Sequence, residues 1–383
     1  MRKSEKGVNR LLDQTSKSTL LIIGPGPHIL GGVSVVLQHR IRLLQQLRPD
    51  MKIAFVNAGT GGQSLGYSLR SLLATIRHLR KALREIRPNI IHIATGFSTI
   101  RSIVRDTIFL IYLRTVWRFK GQIVTEVHGG RPQVKHAWFF KKIFSLSDRL
   151  IFLTNVQREL FARAVGPLLY TKDWDSFSSL LPNTVTDERT VTLDTVEGLL
   201  DKRWASKPRH LLFMGRLIAA KGLLEAIALL ARLDDSFRLD VAGEGPDVER
   251  ARHLAVSLKV SDRVAWLGRV EGSAKEALLR QSFALVFPSR WPEGQPMTLL
   301  EAMSVGLPLV TYPGVDGVLA EMFTGLTPSP VAGTVEEMAL FLRALAEDIQ
   351  LYKTLGRSLF RRFREVHAPE VVGERLLSIY GVK

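Results

Sequence analysis

Arg209-His210-Leu211-Leu212-Phe213-Met214-Gly215-Arg216, followed five residues on by Lys221-Gly222, is the stretch on which the fold turns. Residues 209–214 form a short, mostly apolar run closed by a glycine, the form of a buried strand. Lys221-Gly222 then opens a helical pattern, so the stretch reads as one strand–turn–helix unit. Glycine lets the backbone approach a ligand closely, and a helix start offers free N–H groups and the positive end of its dipole. Arg216 and Lys221 add one forked and one point-like cation. The residues suit a diphosphate, and they suit equally an ordinary basic loop between a strand and a helix.

Working outward, the same alternation fills the chain. Strands are expected in the first half at 19–23, 51–56, 89–94, 121–127 and 149–153, and in the second at 209–214, 237–242, 263–267, 284–287 and 307–311. Helical patterns separate them. Over 67–87 the residues Leu69, Leu72, Leu73, Ile76, Leu79, Leu83 and Ile86 recur at helical spacing, and Pro88 ends the run. A second helix is expected over 134–146. Residues 168–208 are weakly periodic and rich in Asp, Ser and Thr, which places the domain boundary there. No sequence repeat relates the halves. The fold class is α/β, with two Rossmann-like domains facing a central cleft. In such sheets ligands sit at the carboxyl ends of the strands, so residues just after strands carry most weight.

Composition narrows the field. The 383 residues are 46% apolar and 23% charged, which excludes disordered, collagen-like and disulfide-stapled chains. Cysteine is absent, which removes disulfides, thiolate metal sites and a cysteine nucleophile and suits a reducing compartment. The formal charge of +17 is unevenly spread. Residues 1–170 hold 27 Lys and Arg against 8 Asp and Glu, a net of +19, while 171–383 hold 26 against 28, a net of −2. The first half should attract something anionic. The longest run without charged residues, Ser18 to His39, is broken by Gly24-Pro25-Gly26-Pro27 and Gly31-Gly32, so no spanning helix of about 20 residues is expected. Residues 1–18 read as a basic tail leading into the first strand rather than a signal peptide.

Several loops could carry chemistry. Gly243-Glu244-Gly245-Pro246 and Gly268-Arg269-Val270 each follow a strand, and each also reads as a plain turn. The strongest local signal is Pro288-Ser289-Arg290-Trp291-Pro292-Glu293-Gly294-Gln295-Pro296, continuing into Met297-Thr298-Leu299-Leu300-Glu301-Ala302-Met303. Glu301 sits among apolar residues, where an unpaired carboxylate is costly, so it needs a hydroxyl, N–H or cation partner. Two carboxylates eight residues apart also fit acid/base hydrolysis, or a helix-start Glu with an interhelical pair. In the first half Gly31-Gly32-Val33 ends a glycine loop and opens a helix. It is not a dinucleotide fingerprint. His128 follows strand 121–127, and Gly129-Gly130 comes next. His28, His78, His92, His136 and His253 have no comparable context, and no cluster has metal-ligand spacing.

Taken together, Gly31-Gly32-Val33, His128, Gly215-Arg216 with Lys221-Gly222, Gly243-Glu244-Gly245-Pro246 and the Glu293/Glu301 pair resemble glycosyltransferase family four. The resemblance runs from about residue 19 to 380 and is most specific over 209–312. It implies a GT-B fold: an acceptor domain over 19–184, a nucleotide-sugar domain over 185–368, and a last segment, 369–383, packed back on the first domain. It implies a retaining, nucleotide-sugar-dependent hexosyl transferase that needs no metal or other cofactor. Arg216 and Lys221 would bind the donor diphosphate, and Glu293 the sugar hydroxyls, beside the backbone of Gly294-Gln295-Pro296. Glu301 would bind the ribose and His128 would position the sugar. Gly215, Gly243 and Val270 would lie on the donor, and Gly31 and Gly32 on acceptor and phosphate. Residues 312–317 and 290–292 depart from the family pattern, which leaves the donor unidentified.

Arg70, Arg77, Arg80, Lys81, Arg84 and Arg87 share one expected helix with only Glu85 opposing, and Lys135, Lys141 and Lys142 flank Trp138, Phe139, Phe140 and Phe144. Cations beside aromatic residues suit docking on an anionic leaflet. The expectation is a cytoplasmic enzyme, peripheral on the inner face of the cell membrane. Its partners would be a nucleotide sugar and a sugar or lipid-linked sugar acceptor in surface polysaccharide or glycolipid assembly. The same charge would suit a nucleic-acid-binding protein, but the cations follow no nucleic-acid fold and the second half is almost neutral, so no nucleic acid is expected. A GT-B epimerase or phosphorylase is the enzymatic alternative.

Overall fold

Parallel strands buried on both faces read as near-continuous apolar runs, and Leu20-Leu21-Ile22-Ile23 and Ala284-Leu285-Val286-Phe287 are such runs, fully buried. The computed structural model of the protein describes residues 18–26, 32–58, 69–96, 100–129, 132, 136–166, 174–185 and 191–382. The expected tail, apart from Ser18, lies outside the described residues, as does Gly31.

The first unit starts with β1 (Thr19–Gly24), α1 (Gly32–Leu47), β2 (Lys52–Asn57), α2 (Leu69–Ile86), β3 (Ile90–Gly96) and α3 (Ile100–Ile111). It continues through β4 (Gln122–His128), α4 (Ala137–Leu146), β5 (Arg149–Phe152), α5 (Asn155–Val165), α6 (Trp174–Phe177) and β6 (Ser178–Leu180). The second unit holds α7 (Leu193–Ala205), β7 (Arg209–Met214), α8 (Leu223–Leu230), β8 (Phe237–Ala242), α9 (Val248–Ser257), β9 (Val264–Gly268) and α10 (Gly272–Gln281). Then come β10 (Ala284–Phe287), α11 (Met297–Ser304), β11 (Leu309–Thr311), α12 (Val318–Met322), α13 (Val335–Glu347), α14 (Ile349–Arg362) and α15 (Pro369–Tyr380).

All strand pairs are parallel. The first sheet has the order β2-β1-β3-β4-β5-β6 and the second β11-β10-β7-β8-β9. Each order reverses once, between β1 and β3 and between β7 and β10. The crevice at such a reversal, beyond the carboxyl ends of the strands, is where this architecture binds ligands. One face of the first sheet packs on α2, α3, α4 and α5 through Leu79, Leu83, Ile103, Phe140, Phe144 and Phe161. The other face packs on α1 and α15 through Leu37, Leu44, Val372 and Leu376. The last helix thus covers the first sheet.

All ten expected strands form, within two residues at either end. β6 and α7 arise inside the stretch read as aperiodic. α7 is capped by Thr192, whose hydroxyl accepts the Thr195 N–H at 3.2 Å. It is fastened by the buried Arg203 guanidinium, which donates to the carbonyls of Leu279, Arg280, Val305 and Gly306. No helix among the described residues is long and apolar enough to cross a membrane.

Candidate functional site

The two chain reversals face each other across a cleft of about 800 Å³. Its walls come from the ends of β3, β4 and β5, the start of α1, the turn after β7, and the 291–298 loop after β10. Of the residues selected from the sequence, Gly32, His128, Gly215, Arg216, Lys221, Glu293, Gly294, Gln295 and Pro296 line it. Gly243, Val270 and Glu301 do not.

The floor is built by backbone. Gly215 N–H donates to Ala242 O at 3.0 Å, Gly243 N–H to Gly268 O at 2.7 Å, and Leu217 N–H to Glu244 O at 2.9 Å, so the turns after β7, β8 and β9 are tied in series. Gly243 sits at φ +144°, and a Cβ there would come 1.9 Å from the Gly215 carbonyl oxygen. Its work is to let the Gly215-Arg216 turn lie against the next loop. Gly222, at φ +86°, does the same for Pro288, whose carbonyl oxygen would be 2.1 Å from an added Cβ. Close approach at Gly243 packs the β8 loop on the β7 turn, and at Gly222 it brings the β7 and β10 loops together with their charged side chains.

Lys221 Nζ is ion-paired with Glu293 Oε1, and the Ser289 hydroxyl donates to the same oxygen at 3.0 Å. The Arg216 guanidinium lies 5.3 Å from the Trp291 ring, a cation–π contact that leaves its forked donors unspent on any protein carboxylate among the described residues. Two cations and one carboxylate therefore converge on one end of the cleft, with an excess of positive charge.

Glu301 has the partner its apolar surroundings demand. It is Lys275 Nζ of α10, at 2.9 Å. Lys275 also faces the first unit: His39 of α1 is pushed down to about 4 by burial first, then by Arg42 and Lys275. Neither Lys275 nor Ser289 is among the candidate site residues of the sequence, because Lys275 lies on a different helix 26 residues from its partner and Ser289 meets Glu293 only once the loop is folded.

Gln295 turns its side chain away from the donor end. Its Oε1 accepts the Asn183 N–H at 2.7 Å, and its Nε2 donates to Leu153 O at 2.9 Å. Asn183 Nδ2 donates back to Gln295 O at 3.0 Å. The loop that carries Glu293 is thereby bolted to β5 and to the link between the units. Glu321 of α12 adds a second fastening, accepting the N–H groups of Asn155 and Val156 at 2.7 and 2.8 Å and so capping α5 from across the interface.

On the opposite wall His128 ends β4, beside Gly96 at the end of β3. It is 4% exposed, and its Nε2 lies 3.0 Å from Glu126 Oε1. The start of α1 is held by Ser34, whose hydroxyl donates to Gly26 O at 2.7 Å. Among the described residues, no group of three or more His, Asp or Glu side chains is placed to hold a metal ion.

Residues 201–355 match the family model described as glycosyl transferases group 1. The lipopolysaccharide 1,6-galactosyltransferase of Salmonella typhimurium is 26% identical over 182 residues, 42% of this chain and 50% of that protein. An uncharacterized glycosyltransferase of Haemophilus influenzae is 24% identical over 301 residues, 75% of each chain. This chain thus spans only half the length of the Salmonella relative. Among solved structures, the Anabaena protein HepE in complex with UDP-glucose superposes with a TM-score of 0.70 at 15% identity, over 95% of this chain and 99% of that one. That likeness gives the fold, which is GT-B.

Proposed function

We propose that this chain is a retaining glycosyltransferase that moves a hexosyl group from a nucleotide-diphosphate sugar to an acceptor hydroxyl. The observation that carries the reading is the meeting of Arg216, Lys221 and Glu293 at the carboxyl ends of β7 and β10, opposite His128, in a cleft between two Rossmann-like units. Support comes from the matched family model over 201–355 and from relatives named as lipopolysaccharide glycosyltransferases. UDP-glucose in the HepE structure supports a nucleotide sugar as donor.

Cleaving a sugar–phosphate bond builds negative charge on the departing diphosphate. Arg216 and Lys221, fixed before the reaction, stabilise that charge more than they stabilise the bound donor. The donor takes over Lys221 from Glu293, and the freed carboxylate then accepts from sugar hydroxyls. The backbone of Gly294-Gln295-Pro296 closes that pocket, and Glu301 holds the ribose once Lys275 yields. His128 orients the sugar from the opposite wall. Retention requires attack on the face the diphosphate leaves, with a donor phosphate oxygen taking the acceptor proton, so no protein nucleophile is assigned. Metal is not part of the proposed chemistry.

The acceptor is proposed to be a sugar or lipid-linked sugar at the inner face of the cell membrane, in surface polysaccharide or glycolipid assembly. The cationic face of α2 and the 57% exposed Trp138 of α4, with Lys142 Nζ 5.9 Å from its ring, support docking on an anionic leaflet. The direct test is turnover. A panel of nucleotide sugars is incubated with the chain, and released nucleoside diphosphate is measured with and without membrane lipid extract. One donor should be consumed, and Lys221→Ala should slow it by about 10²–10³. A panel in which no donor is consumed, or an isomerised donor instead of released nucleoside diphosphate, contradicts the reading.

A further inference from the structure

Side chains alternate faces along a strand, and this places three polar residues of β3 and β4 on the apolar face that α1 and α15 cover. His92 stands beside Val124, Ala94 beside Glu126, and Gly96 beside His128. Glu126 is wholly buried beneath the cleft. Its Oε1 lies 2.6 Å from Arg40 Nη2 of α1 and 3.0 Å from His128 Nε2, and its Oε2 meets His92 Nε2 at 3.0 Å. His92 Nδ1 in turn is 2.7 Å from the Tyr380 hydroxyl of α15. Arg40, His92, His128 and Tyr380 are each no more than 5% exposed. Among the described residues these four are the titratable groups that face Glu126.

We propose that Glu126 is a positioning residue for His128, fixing the proton on Nε2 and leaving Nδ1 as the atom that meets a ligand in the cleft. The role this gives His128 rests on the donor-site reading above; the placement of the proton does not.

Burial alone would push the Glu126 carboxyl up, and the Arg40 guanidinium, followed by His128 and His92, outweighs it and holds the group well below the usual carboxylate range. An ionised carboxylate only accepts, so it favours the protonated form of a ring nitrogen 3.0 Å away, through a hydrogen bond at His92 and through charge alone at His128. Both histidines therefore bring a proton on Nε2. His92, kept neutral chiefly by its burial, then accepts the Tyr380 O–H at Nδ1, and its ring is satisfied at both ends. His128 Nε2 lies 3.0 Å from Glu126 Oε1 without a hydrogen bond between them, so the contact orients the ring by charge. Its Nδ1 has no partner among the described residues. In the neutral ring that nitrogen accepts a hydroxyl proton, and the tautomer of a histidine is set by what its other nitrogen meets.

The test is a long-range proton–nitrogen NMR spectrum of the full chain with labelled histidine, His128 being assigned from the His128→Gln spectrum. In the wild type His128 should carry its proton on Nε2. Removing Glu126 alone would strand the buried Arg40 cation and endanger folding, so the informative variant is Arg40→Met with Glu126→Gln, which deletes both charges together. In that variant, with unchanged circular dichroism, His128 should become a mixture of tautomers. The turnover number should fall about tenfold to a hundredfold, while donor affinity changes less than threefold. A wild-type His128 with its proton on Nδ1 overturns the proposal, and that result needs no variant to fold. An unaltered tautomer in the folded double variant overturns it as well. Because the spectrum needs no donor, a tautomer that follows Glu126 in a chain that consumes no nucleotide sugar would sink the functional reading and leave the positioning intact.

Discussion

Gly243 shows what a single residue contributes without touching a ligand. The positive φ and the 1.9 Å approach to Gly215 together mean that Gly243→Ala must displace the turn that presents Arg216. The expected cost is about 3 kcal/mol, read as a lower melting temperature, with donor consumption lost in parallel. Full stability with full activity would contradict the account. His367 is pushed down to about 4 by burial and donates through Nδ1 to Asn183 O at 2.9 Å. Unfolded, it titrates near the ordinary value of 6.5, so the unfolded chain takes up its proton first as the pH drops. Stability is complete above pH 6.5 and falls by up to about 3 kcal/mol towards pH 4. His367→Asn keeps a donor for the carbonyl and should flatten melting temperature against pH over that window. A slope equal to that of the wild type would count against it. At this scale the sequence was legible where chemistry and spacing coincide, as at Arg216, Lys221 and Glu293. It was silent on Lys275 and Ser289, whose partnerships exist only after folding. Glu126 leaves only a trace in the sequence, a carboxylate inside a buried parallel strand that also carries Thr125 and His128.

At the level of elements, strands were the readable part, because a strand buried on both faces leaves an unbroken apolar run between turn residues. β6, three residues long, leaves too short a run. α7 lies in a stretch otherwise rich in Asp, Ser and Thr and is held by Arg203 reaching backbone carbonyls, a fastening no periodicity records. The links between the units were hidden for the same reason. Gln295 is expected at the donor pocket through its backbone, while its side-chain amide is committed to Asn183 and Leu153. Gln295→Leu strands a buried N–H and a buried carbonyl, at about 1–3 kcal/mol, and loosens the loop that holds Glu293. The melting temperature and donor affinity should fall together; a loss confined to one of them would separate the clasp from the site. Glu321→Ala removes the cap on α5 at about 1 kcal/mol. Hydrogen exchange at Asn155 and Val156 should then quicken about fivefold, and unchanged exchange would show that the cap carries no weight.

The whole molecule is a pair of sheets with their reversals turned towards one cleft and their charge divided between them. Net charge says nothing of fold, but +19 against −2 leaves a strongly basic first half and a nearly neutral second one, the division that the proposed anionic surface and single anionic donor would call for. Arg77, Arg80, Lys81 and Arg84 are exposed on α2. If each contributes about 1 kcal/mol at an anionic leaflet, changing the three arginines to alanine should weaken binding to phosphatidylserine vesicles by about a hundredfold. Equal binding by the variant would return this face to a solvated surface.

On the proposed reading, the cleft between the two sheets holds a nucleotide-diphosphate sugar through Arg216 and Lys221. Titration calorimetry of the whole chain with UDP-, GDP- and dTDP-sugars, beside Lys221→Ala and Arg216→Ala, tests it most directly. The account predicts one base and sugar bound at micromolar strength by the wild type and weakened at least tenfold in each variant. Binding that survives both substitutions, or no binding by the wild type to any of them, would contradict it.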